Sequence, residues 1–239
     1  MLLTGKSIYD LSPKWLEAGS IDSLLNFDHY LSEEIKAHKV MTVDDDNRLR
    51  IMVAAMQEFM KGYRNASTDR IVKHADISKG LLFHYFGTKK DLFFFLFRYA
   101  VEIIGGEYKT AHFKSRDFID NIWQLSLLAR ELIIKHPLVY GFLASAFFSF
   151  QEVFPGELHN FQNPVEELKQ SLLERADRSL IRDDLDPEKA LRIILWTVDG
   201  YSAELARLGR QIADYEPHYD RIEKELGDYL ALLRNVLYK

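Results

Sequence analysis

Hydrophobic residues recur along this chain with the spacing of helices. Leu49, Met52, Val53 and Met56 occupy positions i, i+3, i+4 and i+7, which form one apolar stripe on an amphipathic helix. Similar stripes continue through most of the sequence, whereas the alternation of apolar and polar residues typical of strands is nearly absent. The pattern therefore predicts an all-α fold.

Prolines and capping residues indicate where several of these helices begin. Ser12-Pro13, Asn163-Pro164 and Asp186-Pro187 each place a capping side chain before a proline at the first helical position. Together with the apolar stripes, they predict helices at about 13–18, 21–38, 47–61, 68–75, 79–86, 89–107, 115–135, 137–149, 164–180, 187–209 and 217–237.

Composition narrows the class of protein. The 239 residues are 47% hydrophobic, enough for a folded core, and include no cysteine, which excludes disulfides and thiolate chemistry. The N-terminus lacks the layout of a signal peptide. The longest strongly apolar stretches, Leu92–Phe97 and Tyr140–Phe150, are far shorter than the roughly 20 residues of a membrane span. We therefore expect a cytoplasmic protein with no membrane partner.

The net charge of −5 hides an uneven distribution of charge. Residues 1–45 carry 4 basic and 8 acidic side chains, residues 46–98 carry 10 and 5, and residues 99–239 carry 17 and 23. One basic segment therefore lies between two acidic ones, which indicates three regions with these bounds. The basic region is the candidate for binding nucleic acid.

The basic region has the pattern of a helix-turn-helix. Gly62 ends its first helix, and Ser67 or Thr68 can cap a short second helix. Asp76-Ile77 forms a tight turn, and Ser78 can cap a third helix. Two short helices joined by a turn of about 3–4 residues are typical of helix-turn-helix DNA-binding domains.

The third helix exposes side chains that are unusual on a merely solvated face. At helical spacing these are Lys79, Gly80, Leu81, His84 and, at the margin, Tyr85. Lys79 suits a guanine edge or a phosphate, Leu81 suits a thymine methyl group, and Gly80 allows the backbone to approach the bases. His84 and Tyr85 suit phosphate oxygens, although partial burial is an open alternative for Tyr85. The following Thr88-Lys89-Lys90 opens a helix whose N-terminus offers a second phosphate site.

Residues 49–96 resemble the DNA-binding domain of the tetracycline-repressor (TetR) family of bacterial transcriptional regulators. The matching motifs are Ala55-x-x-x-Phe59-x-x-x-Tyr63, Ser67-Thr68-x-x-Ile71-Val72 and the continuous run Ile77–Leu92. The resemblance implies a homodimer that binds a palindromic double-stranded DNA operator and is released by a small-molecule effector bound in a C-terminal helical domain. With the reasoning above, it gives the candidate DNA-binding residues Thr68, Ser78, Lys79, Gly80, Leu81, His84, Tyr85 and Lys89.

Two positions depart from the family pattern. Asp76 stands where the family usually has glycine in the turn, and aspartate tolerates left-handed backbone geometry, so the turn can survive. Leu81 replaces a usual small or polar residue, which we expect to alter base preference rather than abolish binding.

The C-terminal region, residues 99–239, is predicted to bind the effector and to dimerise. Candidate lining residues for the effector are Trp123, His136, Tyr140, Phe147, Trp196 and Tyr201, with plain core packing as the alternative for each. Two apolar stripes on the last helices predict a four-helix interface between subunits, formed by about 187–209 and 217–237. The alternative is that both stripes pack inside one subunit. Their members are Leu191, Ile194, Leu195, Val198, Leu205 and Leu208 on one helix, and Ile222, Leu226, Leu230, Leu233 and Leu237 on the other.

The acidic extension, residues 1–45, is expected to form helices that pack on the body, with a disordered tail as the alternative. Its predicted anchors are Trp15, Leu16, Leu24, Leu25, Phe27, Leu31 and Ile35.

Two other classes of function compete with a DNA-binding regulator. An enzyme is disfavoured because no phosphate-binding glycine loop, zinc-protease motif or nucleophile elbow is present, and the eight histidines lack ligand spacing. We therefore predict no catalytic residue, cofactor or metal. A helical adaptor that uses the helix-turn-helix to bind protein remains the alternative, and its binding would depend little on salt.

Overall fold

The structure, a computed structural model, describes residues 29–158, 161, 163–209 and 219–239. Within these residues the regular structure is helical, apart from one isolated antiparallel bridge between Ile181 and Tyr238. The α-helices are α1 (Glu33–Lys36), α2 (Asp45–Phe59), α3 (Thr68–Ala75), α4 (Lys79–Phe86), α5 (Lys89–Thr110), α6 (Phe118–Lys135), α7 (Pro137–Val153), α8 (Pro164–Glu174), α9 (Pro187–Gly209) and α10 (Tyr219–Leu237). The all-α prediction is confirmed.

The predicted helix bounds hold for α3, α4 and α9, and two predicted helices are wrong in the described part. Of the helix predicted over 21–38, the described residues 29–38 are α-helical only at α1, because Ser32 caps that helix and His38 caps a separate 3₁₀ turn at Lys39–Thr42. The helix predicted over 164–180 ends at Glu174, and the Asp177 carboxylate caps a second 3₁₀ turn at Arg178–Leu180. The helix predicted over 13–18 lies outside the described residues.

The chain forms two compact units. As far as they are described, the first contains residues 29–110 and 132–164, and the second contains 111–131 and 165–239. The first unit therefore includes the basic region together with α7. In the described ranges no single helix is long and apolar enough to cross a membrane; α6 and α7 meet that test only as a pair, bent by 110°.

Aromatic rings from α2, α5 and α7 form the core of the first unit. The Phe93 ring centroid lies 5.1 Å from that of Phe59, 5.9 Å from that of Phe142 and 5.3 Å from that of Phe150, and all four side chains are buried. Phe59 is the last residue of α2, so this cluster fixes that end of the helix against α5 and α7. Burying four rings of this size makes the cluster a main source of stability for the unit.

Polar contacts from α7 reinforce the same end of α2. The Ser145 hydroxyl lies 3.1 Å from the carbonyl oxygens of both Phe59 and Met60, and the Ser149 hydroxyl accepts the Tyr63 N–H at 3.1 Å. Gly141 lets Met60 approach closely, because a Cβ there would lie 2.6 Å from the Met60 methyl carbon. The first helix of the basic region is thus held by α7 over its last turn.

Ion pairs join α10 to α6 in the second unit. The Arg234 guanidinium contacts Asp117 and Asp120 at 2.6 Å each, and the Tyr238 hydroxyl donates to Asp117 at 3.1 Å. Burial, and then the nearby Asp117 carboxylate, raise the pKa of Tyr238, so it remains a hydrogen-bond donor near neutral pH.

Candidate DNA-binding site

The helix-turn-helix is built by two serine caps and one left-handed turn. The Ser67 hydroxyl accepts the Arg70 N–H at 3.4 Å to begin α3, and the Ser78 hydroxyl accepts the Leu81 N–H at 3.1 Å to begin α4. Asp76 lies between them with φ 53° and ψ 47°, and it is the sole non-glycine residue with positive φ in the described part of the chain. The expectation that aspartate replaces glycine in a left-handed turn is confirmed.

One side of α4 is buried and the other faces outward. Leu82 and Phe86 pack into the first unit, at 1% and 4% exposure. The opposite side is exposed at Lys79, Gly80, Leu81 and His84, whereas Tyr85 lies half-buried at the margin. These four exposed residues are called the reading face below. The division matches that predicted from helical spacing, and it presents a mixed cationic and apolar surface.

In the described part of the chain, the Lys79 side chain is held by a surface ion pair. Its Nζ lies 2.8 Å from Oδ1 of Asp69 on α3, and more than half of each side chain is exposed. Exposed pairs of this kind stabilise by only about 0–1 kcal/mol, so a phosphate or a guanine can replace Asp69 at little cost. Thr68 lies half-buried at the start of α3, and the Ser78 hydroxyl is engaged as the cap of α4.

Lys89 and Lys90 occupy a different environment. The Lys89 ammonium donates to the Ala66 carbonyl at 2.6 Å and lies 4.5 Å from the centre of the Tyr63 ring. Burial lowers the pKa of Lys89. The Lys90 ammonium pairs with Glu157 at 2.7 Å. Both lysines of the predicted second phosphate site are thus engaged within the first unit.

The N-terminus of α5 is closed by a reciprocal cap. The Thr88 N–H and hydroxyl donate to Oδ2 of Asp91 at 3.1 and 2.7 Å, and the Asp91 N–H donates to the Thr88 hydroxyl at 3.1 Å. This arrangement satisfies free N–H groups at the start of the helix and places a carboxylate there. It fixes where α5 begins, two residues after Gly87.

A buried carboxylate that the sequence analysis missed joins α2 to α3. The Glu58 side chain is 1% exposed and accepts hydrogen bonds from Arg70 Nε at 2.6 Å, Lys61 Nζ at 2.5 Å and the Ser67 N–H at 3.1 Å. Burial alone would raise the pKa of Glu58, but these donors outweigh burial and hold it below its ordinary value. Helical spacing places Glu58 on the side of α2 opposite the apolar stripe of Met56 and Phe59, so the pattern along the chain carried no signal of its burial.

The predicted effector residues are distributed over both units. His136, Tyr140 and Phe147 lie in the first unit, and Trp123, Trp196 and Tyr201 lie in the second. Phe147 is 43% exposed and Trp196 is 63% exposed, so these two are surface residues of the described chain. Two open clefts, of about 380 and 340 Å³, are lined by other residues.

Within the first unit, His136 and Tyr140 belong to a polar cluster. The Tyr140 hydroxyl lies 3.0 Å from the Tyr108 hydroxyl, and Nε2 of the buried His136 lies 3.4 Å from a Glu107 carboxylate oxygen. Burial, ahead of the neighbouring Lys135, lowers the pKa of His136. The cluster combines two phenols, an imidazole and a carboxylate.

The interpretation of the two C-terminal stripes requires a correction. The stripe residues Leu191, Ile194, Leu195, Val198, Leu226, Leu230 and Leu237 are buried within the subunit. The stripes therefore form the packing between α9, α10 and the rest of their unit, and they are unavailable to a partner. Leu205, Ile222 and Leu233 are half-buried, and the Leu208 side chain lies outside the description.

A different apolar face is exposed on the same two helices. It consists of Ile193, Trp196, Tyr229, Leu232 and Val236, which range from 41% to 63% exposed. We call these residues the outer apolar face. On α9 the two positions are three residues apart, and on α10 the spacing is three and then four, so each set lies on one side of its helix. A Cβ at Gly200, one turn beyond Trp196, would meet nothing within 4 Å, so that site is open.

The fold and the reading face together indicate one class of protein. A basic segment folds into a capped helix-turn-helix whose second helix presents cationic and apolar side chains outward, as in helix-turn-helix DNA-binding proteins. Residues 51–95 match the family model for bacterial regulatory proteins of the tetR family. A search of the curated proteins found no match to this sequence.

Solved structures of such regulators share the fold. A TetR family transcriptional regulator from Chloroflexus aurantiacus J-10-FL is 17% identical, with 84% of this chain and 97% of that chain covered and a TM-score of 0.54. A TetR-like regulator from Rhodococcus sp. RHA1 is 21% identical, with 77% and 96% covered and a TM-score of 0.53. The ketosteroid transcriptional regulator KstR2 of Mycobacterium tuberculosis is 16% identical, with 83% and 97% covered and a TM-score of 0.51.

The helix-turn-helix segment, residues 51–95, is similar to the bacterial regulatory proteins of the tetR family, and the chain has the fold of solved TetR-family transcriptional regulators. The predicted resemblance is confirmed.

Proposed function

We propose that this chain is a ligand-responsive, sequence-specific transcriptional regulator, which represses from a palindromic operator until a small molecule releases it. Residues 46–98 bind DNA, and residues 99–239 bind the effector and dimerise. The observation that carries the proposal is the reading face. There Lys79 makes a weak surface pair, which DNA can replace, and Gly80, Leu81 and His84 are exposed. Thr68, Ser78 and Tyr85 border this face and complete the proposed contact set.

Dimerisation sets the distance between the reading faces of the two subunits. Two reading helices must lie about 34–36 Å apart to enter successive major grooves on one side of the duplex. The outer apolar face supports a homodimer through α9 and α10, because it leaves several large apolar side chains in water in the subunit alone. Two copies of α9 and α10 would form the four-helix interface.

For the effector, the proposal favours the polar cluster around His136 and Tyr140. These two residues lie beside Tyr108 and Glu107 in the unit that carries the reading face. A ligand that binds one arrangement of this unit more tightly than another shifts DNA affinity by the difference between those two affinities. Phe147 and Trp196, being exposed, contribute to the effector site only after rearrangement or assembly.

DNA binding is tested with a duplex enriched from a random pool by the wild-type chain. We expect the double variant Lys79→Ala, His84→Ala to bind this duplex at least tenfold more weakly, since each lost base or phosphate contact costs about 1–3 kcal/mol. The matched control is Lys189→Ala, His112→Ala, which removes a lysine and a histidine exposed in the second unit. Unchanged affinity and specificity in the first double variant would refute the reading face.

Salt dependence separates DNA binding from the adaptor alternative. Each neutralised phosphate contributes about −0.9 to the slope of log affinity against log salt. A regulator must therefore show a steep negative slope on the enriched duplex. A flat slope, or no enrichment of any duplex, would favour a protein partner for the helix-turn-helix.

The dimer is tested by sedimentation of Leu232→Glu. We expect a shift from dimer to monomer, because the substitution places a charge in the centre of the outer apolar face. The control is Ala231→Glu on the same helix, an exposed position roughly a third of a turn away from the face. If both variants remain dimeric, the interface lies elsewhere.

A further inference from the structure

Residues 30–40 lie along one side of α5, beginning at its far half. The Tyr30 ring lies against Gly106 so closely that a Cβ at residue 106 would be 2.2 Å from Tyr30 Cγ. Real Cβ atoms essentially never come this close to another heavy atom, so even alanine at position 106 would displace the ring. Gly106 is therefore needed for this contact.

The next contacts lie successively one helical turn nearer the N-terminus of α5. The Ser32 N–H and hydroxyl each donate to the Glu102 carboxylate at 2.7 Å, and the Glu34 carboxylate pairs with Arg98. Gly106, Glu102 and Arg98 are four residues apart and therefore share one side of the helix. The segment thus runs antiparallel to α5, toward the helix-turn-helix.

The segment ends against the reading helix itself. The His38 ring centroid lies 4.3 Å from that of Phe95 on α5 and 5.3 Å from that of Phe86, the last residue of α4. Nδ1 of His38 accepts the Val40 N–H at 3.3 Å, which orients the ring, and Val40 is fully buried. One imidazole therefore contacts both α4 and α5 at their junction.

We propose that residues 30–40, the N-terminal strap, are a positioning element for DNA reading: they connect the far half of α5 to the end of α4 and fix the angle of the reading helix. The inference rests on the proposed DNA-binding function. The matched family segment begins at residue 51, so the strap lies outside the part of the chain that the family model describes.

The length of α4 explains why its end needs this support. The helix has eight residues and buries only Leu82 and Phe86, so it spans about 12 Å from Phe86 to the Lys79 end. A rotation of about 10° about Phe86 would move Lys79 by roughly 2 Å, which exceeds the tolerance of a hydrogen bond to a base edge. A contact at Phe86 is thus placed to control the position of Lys79.

The test compares strap variants of the full chain on two duplexes, one enriched by the wild-type chain and one of random sequence. His38→Ala removes the ring that joins α4 to α5, and His38→Phe keeps an aromatic ring. Ser32→Ala, Glu34→Gln removes the Ser32 hydroxyl contact to Glu102, together with the cap of α1, and the charge of the Glu34–Arg98 pair, while the Ser32 N–H contact to Glu102 remains. Its control is Glu33→Gln, Lys36→Gln, which removes an exposed ion pair within the strap.

We expect His38→Ala to weaken binding to the enriched duplex about tenfold, because each aromatic contact is worth about 0.5–1.5 kcal/mol. Ser32→Ala, Glu34→Gln should weaken it by a smaller factor of about three. Binding to the random duplex and the salt slope should stay unchanged, and His38→Phe and the control should bind as the wild type does. Faster amide hydrogen exchange across Lys79–Phe86 should accompany the loss.

Three outcomes would overturn the proposal. Equal affinity of the wild type, His38→Ala and Ser32→Ala, Glu34→Gln for the enriched duplex would show that the strap does not act on reading. An equal loss on both duplexes, with a lower melting temperature, would show a role in stability alone. A wild-type chain that enriches no duplex would refute the proposed function, and the strap proposal with it, whereas the first two outcomes leave the proposed function intact.

Discussion

Lys79 and Lys89 are each the first residue of a helix, each follows a hydroxyl side chain that caps that helix, and both were predicted to contact DNA. The structure places them in contrasting surroundings. Lys79 faces outward and is held by the exposed Asp69, whereas Lys89 turns inward onto the Ala66 carbonyl and the Tyr63 ring. The same residue type at the same helical position is therefore exposed in one case and engaged within the first unit in the other.

The contrast extends to the two faces of the helix-turn-helix. The inner face is the side of the helix-turn-helix that packs within the first unit. It is held by buried polar groups such as Glu58, whose loss leaves other buried groups without partners. The reading face carries the exposed pair of Lys79 with Asp69, which contributes little to folding. Changes on the inner face should therefore lower the free energy of unfolding, and changes on the reading face should lower DNA affinity.

The largest expected effect is on the inner face, at Glu58. Glu58→Ala should lower the free energy of unfolding by about 2–4 kcal/mol, because it leaves Arg70, Lys61 and the Ser67 N–H without their common acceptor. Urea denaturation at neutral pH measures the change. Asp69→Ala, which removes an exposed carboxylate from α3, should stay within about 0.5 kcal/mol of the wild type. A loss below 1 kcal/mol at Glu58 would contradict the division into two faces.

A matched pair of lysine variants sharpens the comparison most directly. Lys89→Met should lower the free energy of unfolding by about 1–2 kcal/mol, because the Ala66 carbonyl loses its donor. Lys79→Met should leave stability within about 0.5 kcal/mol and weaken binding to the enriched duplex by about tenfold. Both quantities are measured for both variants. If Lys89→Met weakens DNA binding as strongly as Lys79→Met without loss of stability, Lys89 leaves the Ala66 carbonyl to bind phosphate.

Two substitutions at Asp76, in the turn between α3 and α4, should change the free energy of unfolding in opposite directions. Asp76→Gly should raise the free energy of unfolding by about 0.5 kcal/mol, and Asp76→Ala should lower it by about 1 kcal/mol, because only the first relieves the left-handed backbone. Thermal unfolding monitored by circular dichroism reports both. A stabilising Asp76→Ala would show that the side chain, rather than the backbone angle, decides the turn.

The smallest expected effect is a pH dependence of the free energy of unfolding that arises from His38 in the strap. Burial, and then the neighbouring Lys39, lower the pKa of His38 below its ordinary value of 6.5, so the folded protein favours the neutral ring. The unfolded chain takes up the proton first as pH falls. The contribution of His38 to stability is therefore complete above pH 6.5 and declines as pH drops below 6.5 toward the folded-state pKa. Plots of unfolding free energy against pH for the wild type and His38→Phe should be parallel above pH 6.5 and differ in slope below it.

Local signals in the sequence predicted the helix-turn-helix closely. Ser67, Ser78 and the left-handed Asp76 act within a few residues of themselves, so their roles depend little on the rest of the fold. Helical spacing also separated Leu82 and Phe86 from the reading face, because an eight-residue helix on a core has one inner side.

What the sequence could not supply depends on distant neighbours. The direction of Lys89 is set by a carbonyl 23 residues earlier, and the strap contacts on α5 join residues about 70 positions apart. The apolar stripes of α9 and α10 were recognised, but periodicity alone cannot say whether a stripe packs within a subunit or between subunits. The outer apolar face, marked by Trp196 and Leu232, was visible only once the buried stripe had been located.

The attachment of α2 to α7 has a consequence for engineering hybrid regulators. A fusion that kept residues 1–98 and replaced the remainder would discard Ser145, Ser149 and Gly141, which secure the last turn of α2. The transplanted residues 1–98 would retain the reading face but lose the contacts with α7 that orient it. A transferable DNA-binding module of this protein should therefore carry residues 132–164 with it, grafted as a two-segment cassette rather than as an N-terminal piece.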